Sequence, residues 1–140
     1  KALLRAQEDL NVRGLGLKIY DAYRPYSATL KFWELIEDTL YVAAPWKGSR
    51  HNRGCAVDLT LIDLESGNDL EMPTEFDDFS PAASPSYTNL PEAAAENRNS
   101  LIEIMKRFGF TVYPSEWWHF DYQGWEQYPL MDLPFSILAE

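Results

Sequence analysis

Ser49-Arg50-His51-Asn52-Arg53-Gly54-Cys55-Ala56-Val57-Asp58-Leu59-Thr60-Leu61 holds one of only two histidines in this 140-residue chain. Residues 55 to 64 alternate in polarity, which predicts a strand with Asp58 on it. His51 and Asp58 are an odd number of positions apart, so on one straight strand their side chains would face opposite ways. Gly54 lies between them and permits the bend that lets them converge. Taken singly, His51 reads best as a loop histidine and Asp58 as a solvent-facing strand residue. The neighbours of Asp58, however, read as buried. A buried carboxylate without a partner is costly, so a metal or another cation is expected beside it.

The second histidine lies in Glu116-Trp117-Trp118-His119-Phe120-Asp121. A strand over Trp118 to Tyr122 would leave Glu116 in the turn after Pro114-Ser115. From there it can approach a metal from the side without ligating it, as a general base must. An aromatic core strand with a satisfied histidine is the plainer reading of this segment in isolation. Read together, His51, Asp58 and His119 supply three zinc ligands and leave a fourth position open, and Glu116 supplies the base. Cys55 is a possible soft ligand. It lies three positions from Asp58, hence on the opposite strand face, and reads instead as a small buried residue. Arg24, at a strand exit in Tyr23-Arg24-Pro25, is either an oxyanion-holding cation or a surface ion-pair partner; spacing alone does not separate the two.

Working outward, apolar residues at 3, 6 and 10 predict an amphipathic helix over residues 2 to about 11. Leu15 to Tyr20 alternates as a strand, with Leu15, Leu17 and Ile19 on one face. Ser27 is the expected N-cap of a helix over about 28 to 39, with Leu30, Trp33, Ile36 and Leu40 on its inner face. Ser66-Gly67-Asn68 marks a hairpin-like turn. Residues 72–91 carry four prolines and read as a long functional loop. Pro91 opens a helix to about Phe108, which Gly109 stops, and Phe110 to Tyr113 forms a strand. Helices and antiparallel strands without a beta-alpha-beta rhythm predict an α+β fold.

A content of 46% hydrophobic and 14% aromatic residues predicts a packed core within a single domain spanning 1–140. No run approaches ~18 apolar residues, so no membrane span is expected. The 12 basic against 22 acidic residues give a net charge of -10, which repels phosphate backbones and argues against a nucleic-acid partner. A lone cysteine excludes an intrachain disulfide. Because the chain starts at Lys1 in helical pattern, an upstream N-terminal segment is expected.

The set Asp21-Ala22-Tyr23-Arg24-Pro25, Ser49-x-His51-x-x-Gly54-x-Ala56-x-Asp58 and Glu116-x-Trp118-His119 resembles the zinc D-alanyl-D-alanine dipeptidases of the VanX type. The likeness runs from Leu17 to Phe135 and includes Met72-Pro73-Thr74-x-Phe76-Asp77-Asp78-Phe79-Ser80, which is similar to the dipeptidase branch's own signature. The resemblance implies a small antiparallel sheet with flanking helices, as in the hedgehog and D,D-peptidase group. It implies one zinc on His51, Asp58 and His119, Glu116 as base and Arg24 as oxyanion stabiliser. It further implies Asp77 as the acceptor of the substrate's free amino group and Ser49 near its carboxylate. A bacterial, soluble enzyme acting on a small D,D-dipeptide is expected, in the cytoplasm rather than the periplasm. The alternatives are a zinc D,D- or L,D-carboxypeptidase, against which Phe76-Asp77-Asp78-Phe79 argues, and an inactive zinc module, which would need neither Glu116 nor Arg24.

Overall fold

The computed structural model describes residues 1–36 and 44–139. Strands β1 (Leu15–Asp21), β2 (Ala56–Asp63), β3 (Phe110–Tyr113) and β4 (Glu116–Tyr122) form one antiparallel sheet in the order β1-β2-β4-β3. Helices α1 (Ala2–Asn11), α2 (Tyr26–Leu35), α3 (Glu92–Arg107) and the single turn α4 (Phe135–Leu138) flank it. This is the expected α+β architecture.

Two helices close one face of the sheet. Ala6 and Leu10 of α1 and Leu101, Ile104 and Met105 of α3 join Val57, Leu59 and Leu61 of β2 in a single buried cluster. Burying such aliphatic side chains stabilises by roughly 1.5–3 kcal/mol each, so this face carries much of the folding energy. α3 has the predicted limits: Pro91 is its N-cap, Phe108 its C-cap, and Gly109 follows at φ +93°.

The strand carrying Asp58 differs from the expected alternation. All six residues from Ala56 to Leu61 are buried. β2 lies between β1 and β4; Val57, Leu59 and Leu61 face the helices, while on the other face Thr60 lies beside the segment 69–76 and Asp58 at the cleft floor. A continuous buried run is the result, and Asp58 is only 6% exposed. β1 departs too, since Ile19 is half exposed although it shares the parity of Leu15 and Leu17.

The second helix needs a larger correction. α2 starts at Tyr26, its N-cap is Pro25, and Ser27 lies inside its first turn. The free amides of that turn are satisfied from the far end of the chain: Tyr26 N–H donates to the Met131 carbonyl and Ser27 N–H to Asp132 Oδ1. Leu30 and Ile36 are exposed, and the helix's one fully buried residue is Thr29, bonded to Asn52. Leu40 and the predicted last turn lie outside the described residues.

Residues 72–91 form the expected long loop, with only the 3-10 turn Pro81–Ala83 in it. The Ser66-Gly67-Asn68 turn also forms, closed by a bridge between Ile62 and Asp69. No described helix is long and apolar enough to cross a membrane.

Candidate active site

The bend at Gly54 is real. Gly54 sits at φ +64°, a left-handed conformation that side-chain-bearing residues rarely adopt, and ends the 3-10 turn Arg50–Arg53 just before β2. That turn lifts His51 above the sheet. Ser49 caps it: Ser49 Oγ accepts from His51 N–H at 3.2 Å, and Ser49 N–H donates to Asn52 Oδ1 at 2.7 Å. Asn52 is fully buried and also donates to the Arg24 carbonyl at 2.8 Å and to Thr29 Oγ1 at 2.9 Å. One amide thus ties the turn to the exit of β1 and to α2. Sequence reading gave Asn52 no role, because its partners are distant in the chain.

β4 begins two residues earlier than predicted, so Glu116 is a strand residue and not part of the preceding turn. Its odd separation from His119 is resolved by an irregularity in pairing. Val112 lies opposite Phe120, but Tyr113 lies opposite Glu116, so β4 bulges over the intervening residues. Glu116 and His119 thereby reach the same place, with Glu116 Oε2 3.7 Å from His119 Nδ1.

His119 faces Asp58 directly across the β2–β4 pair. The ligand atoms of His51, Asp58 and His119 all lie within 4.8 Å of one another. The two imidazole rings are edge-to-face, 5.0 Å apart. His51 Nδ1 is 2.7 Å from the Ala22 carbonyl, which can only accept, so Nδ1 carries the proton and Nε2 is bare. His51 Nε2 stands 3.4 Å and His119 Nδ1 2.9 Å from Asp58 Oδ1. That oxygen is buried and makes no well-aligned hydrogen bond among the described residues. Its lone pairs and the two ring nitrogens point into one shared space, the donor set of a hard or borderline divalent ion.

The electrostatics follow. Burial pushes the Asp58 carboxyl up, but the flanking His119 and His51 imidazoles outweigh it and hold it at about 2. Burial likewise lowers His119, while the carboxylates of Asp121 and Asp58 on either side raise it to about 9. Glu116 is raised by its burial, partly opposed by His119. The raised Glu116 carboxyl thus lies beside the cluster of His51, Asp58 and His119.

These groups line a cleft of about 1080 Å³ that also receives Arg24, Ser49 and Asp77. Arg24 makes an ion pair inside the cleft: its side chain is 19% exposed, its Nη2 lies 3.2 Å from Asp21 Oδ2, and its guanidinium packs 5.1 Å from the centre of the Phe32 ring. Its Nε is buried without a hydrogen-bond partner among the described residues. Asp77, in the long loop, is at φ +62°, unusual outside glycine. Its carboxyl is raised, first by burial and then by Asp58. Cys55 is buried and donates to the Arg53 carbonyl, away from the cluster.

Sequence reading missed Asp121. Its Oδ1 lies 2.9 Å from His119 Nε2 and its Oδ2 2.5 Å from Arg50 Nη1. The signal was present, since residues two apart on a strand share a face.

Two imidazoles and a carboxylate converge at the floor of an open cleft on a small antiparallel sheet, with a further carboxylate beside them, a donor set of the kind that metallohydrolases use. Residues 1–135 match the family described as D-ala-D-ala dipeptidase, peptidase family M15. The chain is 42% identical over 135 residues to the D-alanyl-D-alanine dipeptidase of Escherichia coli (strain K12), covering 96% of this chain and 69% of that protein. It is 33% identical to the D-alanyl-D-alanine dipeptidase of Enterococcus faecalis, covering 96% of this chain and 71% of that protein. Among solved structures, VanYB in complex with D-alanine-D-alanine superposes with a TM-score of 0.56 at 19% identity, over 90% of this chain and 70% of that one. A VanY D,D-pentapeptidase in complex with Zn(II) gives 0.53 at 19% identity, over 89% and 70%. The chain belongs to the D-Ala-D-Ala dipeptidase family of metallopeptidases.

Proposed function

We propose that the protein hydrolyses the free D-Ala-D-Ala dipeptide with one zinc held by His51 Nε2, Asp58 and His119 Nδ1. The observation that carries this reading is the buried, unbonded Asp58 Oδ1, set between one ring nitrogen of each histidine in the chain. Zinc supplies Lewis acidity, polarising a carbonyl and acidifying water, the usual chemistry of sites with three protein ligands.

The chain's own groups do the rest. Glu116 takes the proton of the attacking water and returns it to the leaving amine, a role its burial-raised proton affinity favours. Arg24, held by Asp21 on the cleft wall, presents a fixed cation to the oxyanion that develops on the scissile carbonyl. Asp77 accepts the substrate ammonium from the loop side. Ser49, beside His51, faces the substrate's carboxylate end. An acylated substrate would leave the Asp77 charge without its partner, and that loss rejects longer peptides.

Metal analysis together with a substrate panel tests the reading. The expected result is one zinc per chain, rapid hydrolysis of free D-Ala-D-Ala, and little of N-acetyl-D-Ala-D-Ala or longer wall peptides. Equal cleavage of the acetylated peptide would replace the dipeptidase with a carboxypeptidase. Full zinc occupancy in His119→Ala would remove His119 from the ligand set.

A further inference from the structure

We propose that Arg50 and Asp121 act as a positioning pair for His119, fixing which ring nitrogen is presented to the metal and keeping the ring in place. The inference rests on the zinc reading above and concerns two residues that this reading does not use. Asp121 is 8% exposed and spans two partners with its two oxygens. Oδ1 accepts from His119 Nε2–H at 2.9 Å, while Oδ2 accepts from Arg50 Nη1 at 2.5 Å. A carboxylate can only accept, so Nε2 keeps its proton and Nδ1, on the Asp58 side, is the nitrogen left for the ion. An oriented carboxylate behind a ligating imidazole also raises its basicity.

Arg50 gives this arrangement its rigidity. It opens the same 3-10 turn that carries His51, so the residue next to one histidine reaches across to the carboxylate behind the other. Its guanidinium packs 4.5 Å from the ring centre of Trp125 and 5.7 Å from that of Tyr113, and Tyr113 itself lies edge-on to His119 at 5.3 Å. The aromatic rings fix the cation, the cation fixes Asp121, and Asp121 fixes the imidazole. Arg50 also balances the charge of Asp121, so that carboxylate orients His119 without adding an uncompensated anion to the metal site.

Zinc affinity of the substrate-free protein, measured by competition with a chromophoric chelator, is the test. It excludes any contribution from substrate contacts by Arg50. Asp121→Ala should weaken zinc binding about 10–100-fold with the fold intact by circular dichroism. Arg50→Ala should weaken it less, and should add nothing further in the Asp121→Ala background. Asp121→Asn is an isosteric second variant. One amide oxygen cannot serve both His119 and Arg50, so this variant too should lose affinity and change the visible spectrum of the cobalt(II)-substituted protein. Wild-type affinity in either Asp121 variant overturns the proposal. So does an Arg50→Ala effect of the same size with and without Asp121. A wild-type protein that binds no zinc would instead sink the metal reading beneath it.

Discussion

Asp58 and Asp77 line the same cleft, yet the chain holds them by different means. Asp58 is on the central strand, 6% exposed, paired across the sheet with Asp21 on one side and His119 on the other. Asp77 is on the long loop, exposed, and in a left-handed backbone conformation. What steadies it is aromatic. Phe76 stacks on Tyr20 with ring centres 4.3 Å apart, Phe76 and Phe79 both meet Trp118 edge-on, and Trp117 Nε1 donates to Thr74 Oγ1. The floor of the cleft is therefore set by sheet pairing, which joins Asp58 to His119, and by the capped turn that carries His51; its wall is set by side chains pinning a loop to the sheet. Metal chemistry needs donor atoms held within tenths of an ångström, which paired strands and a turn capped from within provide. Substrate discrimination needs a charge at the mouth, which a pinned loop can supply.

That contrast predicts a ranking of effects. Asp58→Ala should be the most damaging: zinc is lost on dialysis and hydrolysis falls below detection, since two imidazoles alone make a poor site. Retained stoichiometric zinc by metal analysis would show that the floor is not organised around Asp58. Glu116→Gln should keep its zinc and lose about 10²–10⁴-fold in kcat, the usual contribution of a general base. If zinc leaves with the side chain, Glu116 is a ligand rather than a base.

On the wall, the changes should be smaller and should leave the metal alone. Asparagine tolerates the left-handed conformation, so Asp77→Asn removes the charge while sparing the loop. Its kcat/KM for the free dipeptide should drop about thirtyfold, roughly 2 kcal/mol. That is the low end for a broken charge pair, because Asp77 is only half shielded. Unchanged discrimination between free and acetylated substrate in this variant would move the filter elsewhere. Tyr20→Ala removes an aromatic stack, generally about 0.5–1.5 kcal/mol, and should lower kcat/KM only severalfold with normal zinc content. A fall in zinc affinity for Tyr20→Ala would mean that wall and floor are one unit, and the contrast drawn between them would fail.

Local chemistry sufficed to place most of this molecule. Pro91 and Gly109 bracket α3, the 3.6-residue spacing of Ala6 and Leu10 marks α1, and Gly54 marks the bend before β2; each signal lies in the few residues around the feature it governs. The convergence of His51, Asp58 and His119 was legible for a related reason, since so few residue types can serve and each histidine sits near an acid. What escaped the sequence depended on partners far along the chain. The caps of α2 come from Met131 and Asp132, more than one hundred residues away, so Ser27 could not reveal that it is not the cap. The burial of β2 on both faces depends on what covers the sheet, and the entry of Glu116 into β4 depends on a bulge against β3. The Arg50–Asp121–His119 chain joins a turn to a strand that touch only once the sheet has formed. Periodicity and turn chemistry are properties of neighbours in sequence, whereas registers, bulges and borrowed caps are settled by packing, and packing exists only in the folded chain.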